Sequence, residues 1–90
     1  MIVEYTGSFD RGFSGLSGGL QTAVKEAVSG FLDCYARHQF PKGLRVHKCG
    51  PFISLSVGMN HRVFVLPIRD GVKFVFVGDH QDADDYLKRS

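Results

Sequence analysis

Two stretches near the C-terminus limit the fold more than any others: HRVFVLPI (61–68) and VKFVFV (72–77). Both are rich in β-branched and aromatic residues, and both are bounded by turn signals, Gly58-Met59-Asn60 before the first and Arg69-Asp70-Gly71 between the two. Successive residues of a strand face opposite sides of its sheet. Val63 and Val65 therefore oppose Phe64 and Leu66, and Phe74 and Phe76 oppose Val75 and Val77. A sheet that is apolar on both faces needs cover on both. A bare hairpin or a one-sided meander does not satisfy that demand. A layered α+β domain does.

The rest of the chain supplies the layers. Ile2 to Thr6 alternates and reads as a first strand. Phe9, Phe13 and Leu16 share one helical face, although Gly12 and Gly15 weaken that helix. Ser17 can cap a second helix, about Gly19 to Arg37, in which Leu20, Val24, Ala27, Val28, Phe31 and Tyr35 follow the 3.6-residue period. Gln39 to Pro51 holds two prolines and two glycines and reads as loop. Phe52 to Val57 is a strand, and Asp82 to Arg89 a short helix capped near Gln81 or Asp82. The expected order is β-α-α-β-β-β-α: a small antiparallel sheet, an N-terminal helical hairpin on one face and a short C-terminal helix. Ninety residues form a single domain, 1–90. The hairpin can cover one sheet face. The short helix covers the other poorly, so either the first strand and the loop help to cover it, or that face or a groove beside it takes a partner's amphipathic helix or added strand.

Charge is informative only locally. The net charge of +2 does not require a nucleic-acid partner. Arg37, His38, Lys42, Arg45, His47 and Lys48 nevertheless fall together with no acid among them, and Asp79, Asp82, Asp84 and Asp85 crowd the other end. Cys34 and Cys49 do not make a disulfide framework. The N-terminus lacks the pattern of a signal peptide, and no apolar run approaches the ~20 residues of a membrane span. A cytoplasmic protein with no membrane partner is expected.

Strand pairing brings two chemically active residues to one place. A two-residue turn between the last strands sets Arg62 opposite Asp79, and a three-residue turn sets it opposite Gly78. Either register carries Arg62 and His80 to the same end of the sheet, on rigid elements. An Arg62–Asp79 ion pair is the plain structural alternative. No metal and no cofactor are expected: among His38, His47, His61, His80, Cys34 and Cys49, only His47-x-Cys49 has ligand-like spacing, and it is a small donor set. No phosphate-binding glycine loop follows a strand.

The element order, with PKGLRVHK, ISLSVGMNHRVFVL, VFVGDH and a trailing tyrosine, resembles the RelE/ParE superfamily of bacterial toxins from toxin–antitoxin modules across nearly the whole chain. The resemblance implies a cognate antitoxin. It implies one of two activities: the RelE branch cuts messenger RNA in the ribosomal A site, and the ParE branch poisons DNA gyrase without cutting. The RelE pattern matches Arg62 on the third strand, His80 after the last, and Tyr86 six residues beyond. His47 and Lys48 lie in the loop that often carries basic or titratable groups. The implied RelE-like roles are phosphate binding for Arg62, acid or base for His80, with His47 as its partner, substrate orientation for Tyr86, and RNA backbone contacts for Lys42, Arg45 and Lys48. Imidazole chemistry suits the proton transfers of 2′-hydroxyl attack, and arginine suits the crowded phosphate. Cleaving members often place basic residues where this chain has Ser54 and Ser56, which brings in a third reading, a degenerate member that only binds partners.

Overall fold

The computed structural model describes residues 1–39 and 45–90. The elements in chain order are β1 (Ile2–Tyr5), α1 (Gly7–Ser14), α2 (Gly18–Arg37), β2 (Val46–Cys49), β3 (Phe52–Val57), β4 (His61–Ile68), β5 (Gly71–Asp79) and α3 (His80–Arg89). The strands form one sheet in the order β1-β5-β4-β3-β2. The α+β class and the helix placement are as the sequence implies. The sheet is mixed rather than purely antiparallel, because β1 runs parallel to β5.

The helices start where their caps are. Thr6 Oγ1 accepts from Phe9 N at 3.2 Å to begin α1, and Ser17 Oγ accepts from Leu20 N at 3.4 Å to begin α2. Gly12 costs helix propensity but permits close packing. A Cβ there would collide with the Val77 carbonyl oxygen, so the glycine lets α1 lie directly on β5. His38 ends α2 in a left-handed conformation, its N–H donating to Tyr35 O.

One expected loop contains a strand. Val46–Cys49 pairs with β3, from Val46 opposite Leu55 to Cys49 opposite Phe52. Gly50, at φ 61°, and Pro51 form the two-residue turn between them. Proline and glycine here connect a hairpin rather than dissolve it.

The β4–β5 pair contains a second surprise. Ile68 lies opposite Gly71, so Arg69-Asp70 is a two-residue turn, with Asp70 left-handed at φ 61°. The register then shifts between Phe64 and Val65: Phe64 faces Phe76 while Val65 faces Phe74, leaving Val75 as the extra residue of a bulge. The bulge moves the later pairs by one, and Arg62 ends up opposite Gly78. It also resets the pleat. Phe74 and Val77 face the helical hairpin, and Val75 and Phe76 face the other way, in place of the strict alternation expected of 74–77.

Two cores result. Under α1 and α2, Val24 (1 % exposed), Val28 (8 %) and Phe31 (0 %) pack on Leu55, Val57, Val63, Val65, Val72, Phe74 and Val77. On the opposite face, Phe52, Phe64, Val75 and Phe76 receive Ala83, Tyr86 and Leu87 of α3. Phe74 to Val77 is therefore covered on both faces by this chain itself. The expected open face for a partner is not there, because a helix of ten residues carrying a tyrosine and a leucine suffices. Among the described residues the exposed large apolar side chains are Met59 in the β3–β4 turn and, at the sheet edge, Met1 and Ile2, Val3 and Tyr5 of β1.

Candidate functional site

α3 does not reach across the whole of its face. Between one side of α3, from His80 to Leu87, and strands β2, β3 and β4 lies a cleft of about 330 Å³, near the lower end of the ~300–1,000 Å³ usual for ligand sites. His47, Lys48, Cys49, Ser54, Arg62 and His80 line it, with Asp84 from α3.

Each wall follows from local structure. On β3, Phe52, Ser54 and Ser56 share one face by strand alternation, so the phenylalanine joins the α3 core while the serines continue toward the open end. His47 lies directly across from Ser54. Arg62 lies directly across from Ser56 on the other side. β5 ends when Asp79 caps α3, its carboxylate accepting from Asp82 N at 2.9 Å. The cap is Asp79, rather than Gln81 or Asp82, so the helix begins two residues earlier than the sequence suggests. His80 is its first residue.

The register prediction that matters most for chemistry has a direct counterpart. Arg62 Nη2 lies 3.4 Å from His80 Nε2. Arg62 Nη1 donates to Ser56 Oγ at 3.2 Å and Ser54 Oγ at 3.5 Å. The guanidinium's partners are thus an imidazole and two hydroxyls, and Asp79 uses its carboxylate on the helix cap instead of an ion pair with Arg62.

The remaining expected site residues divide. His47 and Lys48 line the cleft. Arg45 does not; its Nη1 donates to the Gly58 carbonyl at 2.9 Å and ties the start of β2 to the β3–β4 turn. Lys42 lies outside the described residues. Tyr86 does not line the cleft either. Six residues beyond His80 on a helix is a rotation of about 120° away from it, which turns the ring onto Phe76, Phe64 and Phe52 at centroid distances of 4.9, 5.9 and 5.7 Å. What sequence reading missed is the part played by Ser54 and Ser56, which look like lost cations but sit as partners of the remaining one. Their alternation along β3 opposite Arg62 is the signal that could have found them. Among the described residues no group of three or more His, Cys, Asp or Glu side chains could hold a metal.

A larger apolar groove, about 480 Å³, lies between β1, α1 and α2, lined by Tyr5, Phe9, Phe13, Val24, Val28 and Leu32. No helix among the described residues is long and apolar enough to cross a membrane.

No protein-family model matches the sequence, and no curated protein matches it. Solved structures do. The RelB–RelE antitoxin–toxin complex of Methanococcus jannaschii contains a chain that superposes with a TM-score of 0.71 at 16% identity, over 92% of this chain and 96% of that one. A copper-bound mutant toxin from Helicobacter pylori gives 0.65 at 12% identity, over 89% and 94%. YafQ from E. coli gives 0.62 at 11% identity, over 91% and 96%, and YafQ is also matched in its complex with DinJ. Identity this low speaks for architecture alone, and on architecture the match is end to end: the chain has the fold of the RelE-type toxins.

Proposed function

We propose that this chain is the toxin of a bacterial toxin–antitoxin module and that it cuts messenger RNA on the ribosome, without a metal. The observation that carries the reading is the Arg62–His80 contact of 3.4 Å inside a cleft that His47 and Lys48 also line. RNA cleavage needs the 2′-hydroxyl deprotonated, the leaving 5′-oxygen protonated and charge on the phosphate stabilised. His80, on the rim beside Arg62, takes the 2′-hydroxyl proton. The 2′-oxygen attacks the adjacent phosphorus, the P–O5′ bond breaks, and His47 supplies the proton to the departing oxygen. The products are a 2′,3′-cyclic phosphate and a 5′-hydroxyl. Arg62 binds the equatorial phosphate oxygens, where its charge is worth most as the negative charge gathers. Lys48 holds the neighbouring backbone by charge alone. Asp84 also lines the cleft, where its negative charge opposes that of a phosphate. Tyr86 acts by holding α3, and with it His80, on the sheet.

A cognate antitoxin is part of this reading, since matched toxins were solved with RelB and with DinJ. The exposed edge of β1 and the adjoining apolar groove offer it a docking surface. A chain acting on translating ribosomes works in the cytoplasm.

The test is expression from a tight promoter with mapping of transcript 5′ ends. Codon-phased cuts are expected. A DNA-damage response without cuts would favour inhibition of DNA gyrase, and unimpeded growth would favour a chain that only binds partners.

A further inference from the structure

An arginine that must meet a phosphate in one geometry gains from being held, and the usual holder is a carboxylate. A carboxylate holds the guanidinium by cancelling its charge. Arg62 is held differently. Its Nη1 donates to two hydroxyl oxygens, Ser56 Oγ at 3.2 Å and Ser54 Oγ at 3.5 Å. Strand pairing builds the contact in: Ser56 is the direct cross-strand partner of Arg62, and Ser54 is the next residue on that face. Ser54 is 3 % exposed, the buried polar side chain among the described residues. Burying a hydroxyl is costly unless it is paired, and its oxygen is paired with Arg62.

We propose that Ser54 and Ser56 are positioning residues: a neutral cradle that fixes the Arg62 guanidinium while leaving its full charge for an RNA phosphate. This rests on the endoribonuclease reading above. It gives the serines a role at positions where the resemblance leads one to expect cations. Lysines there would repel Arg62, whereas hydroxyls accept from it. In this cleft the positive charge on β4 is held by hydroxyls of β3.

Two measurements on the purified full chain separate the cradle from the activity. The first is nitrogen-15 NMR of the Arg62 guanidinium. The wild type should show separate Nη1 and Nη2 resonances from hindered rotation, and Ser54→Ala/Ser56→Ala should show them averaged. The second is cleavage of a defined messenger on programmed bacterial ribosomes. The double alanine variant should cut about 10²-fold more slowly at saturation, as for a misplaced group, with the half-saturating concentration unchanged. Ser56→Thr, which keeps the hydroxyl, should restore the rate of a Ser56→Ala chain. Ser56→Asp should keep the guanidinium immobile yet cut as poorly as Arg62→Ala, because the hold now cancels the charge. If Arg62→Ala is inactive but the double alanine variant or Ser56→Asp cuts like wild type, the cradle is wrong and the endonuclease reading stands. If the wild-type chain cuts nothing, the endonuclease reading falls and the phosphate role of the cradle with it, while the resonances still report whether the hydroxyls hold Arg62.

Discussion

The two faces of this sheet are finished in opposite ways. Beneath α1 and α2 the strands present Leu55, Val57, Val63, Val65, Val72, Phe74 and Val77, with no polar side chain among them, and a helix of 20 residues seals them. Beneath α3 the same strands present phenylalanines only as far as ten helical residues can cover: Phe52, Phe64 and Phe76. Beside the helix, β3 and β4 change from Phe52 and Phe64 to Ser54, still buried, and then to the half-buried Ser56 and Arg62. In a small domain a site can thus be made along the side of a short covering helix, with polar residues starting under the edge of the cover and continuing past it. The first face secures the fold. The second divides its strands between stability and chemistry.

If that division is right, mutations on the two faces should differ in size and kind. Phe31→Ala should have the largest effect, a loss of about 3–5 kcal/mol, since Phe31 is fully buried at the centre of the sealed face. Chemical denaturation measures it, and a loss under about half a kilocalorie per mole would mean the helix does not pack as described. Tyr86→Ala on the open face should cost less, about 2 kcal/mol, because the ring is only half-buried against Phe52, Phe64 and Phe76. It should also lower any cleavage, by loosening the helix that carries His80. Gly12→Ala should cost about 1–3 kcal/mol, typical of overpacking, because the new methyl meets β5 backbone. The smallest effect should be that of Tyr86→Phe, within about 0.5 kcal/mol in stability, with cleavage retained. A large drop in cleavage with unchanged stability would instead make the hydroxyl part of the chemistry, as the resemblance implies.

The sequence made some of this legible for definite reasons. Helix α2 was readable because Val24, Val28 and Phe31 repeat at the helical period over a long segment. The meeting of Arg62 with His80 was readable because a hairpin leaves few registers, and each one led to the same end of the sheet. β2 was not readable. His47 and Lys48 look solvated, and Gly50-Pro51 looks like the interior of a loop until its pairing with β3 shows it to be a turn. The bulge at Val75 was invisible in principle: every residue from Phe74 to Val77 is apolar, so no pattern records which way each one faces. A sheet with two apolar faces can tolerate that change of phase at little cost. Tyr86 was misplaced by counting along the chain to His80 instead of turning around the helix. The serines were read by what they lack, a charge, rather than by what they accept.

The most direct test of the open face as a site for chemistry is cleavage of messenger on programmed ribosomes by the wild-type chain and by His80→Ala. His80 is exposed at the start of α3, so its removal should leave stability within about 0.5 kcal/mol of wild type. The expected result is cutting by the wild type that ends in a cyclic phosphate, and a loss of about 10²-fold or more in the variant, the scale of a missing general base. A folded His80→Ala chain that cuts at the wild-type rate would contradict the assignment.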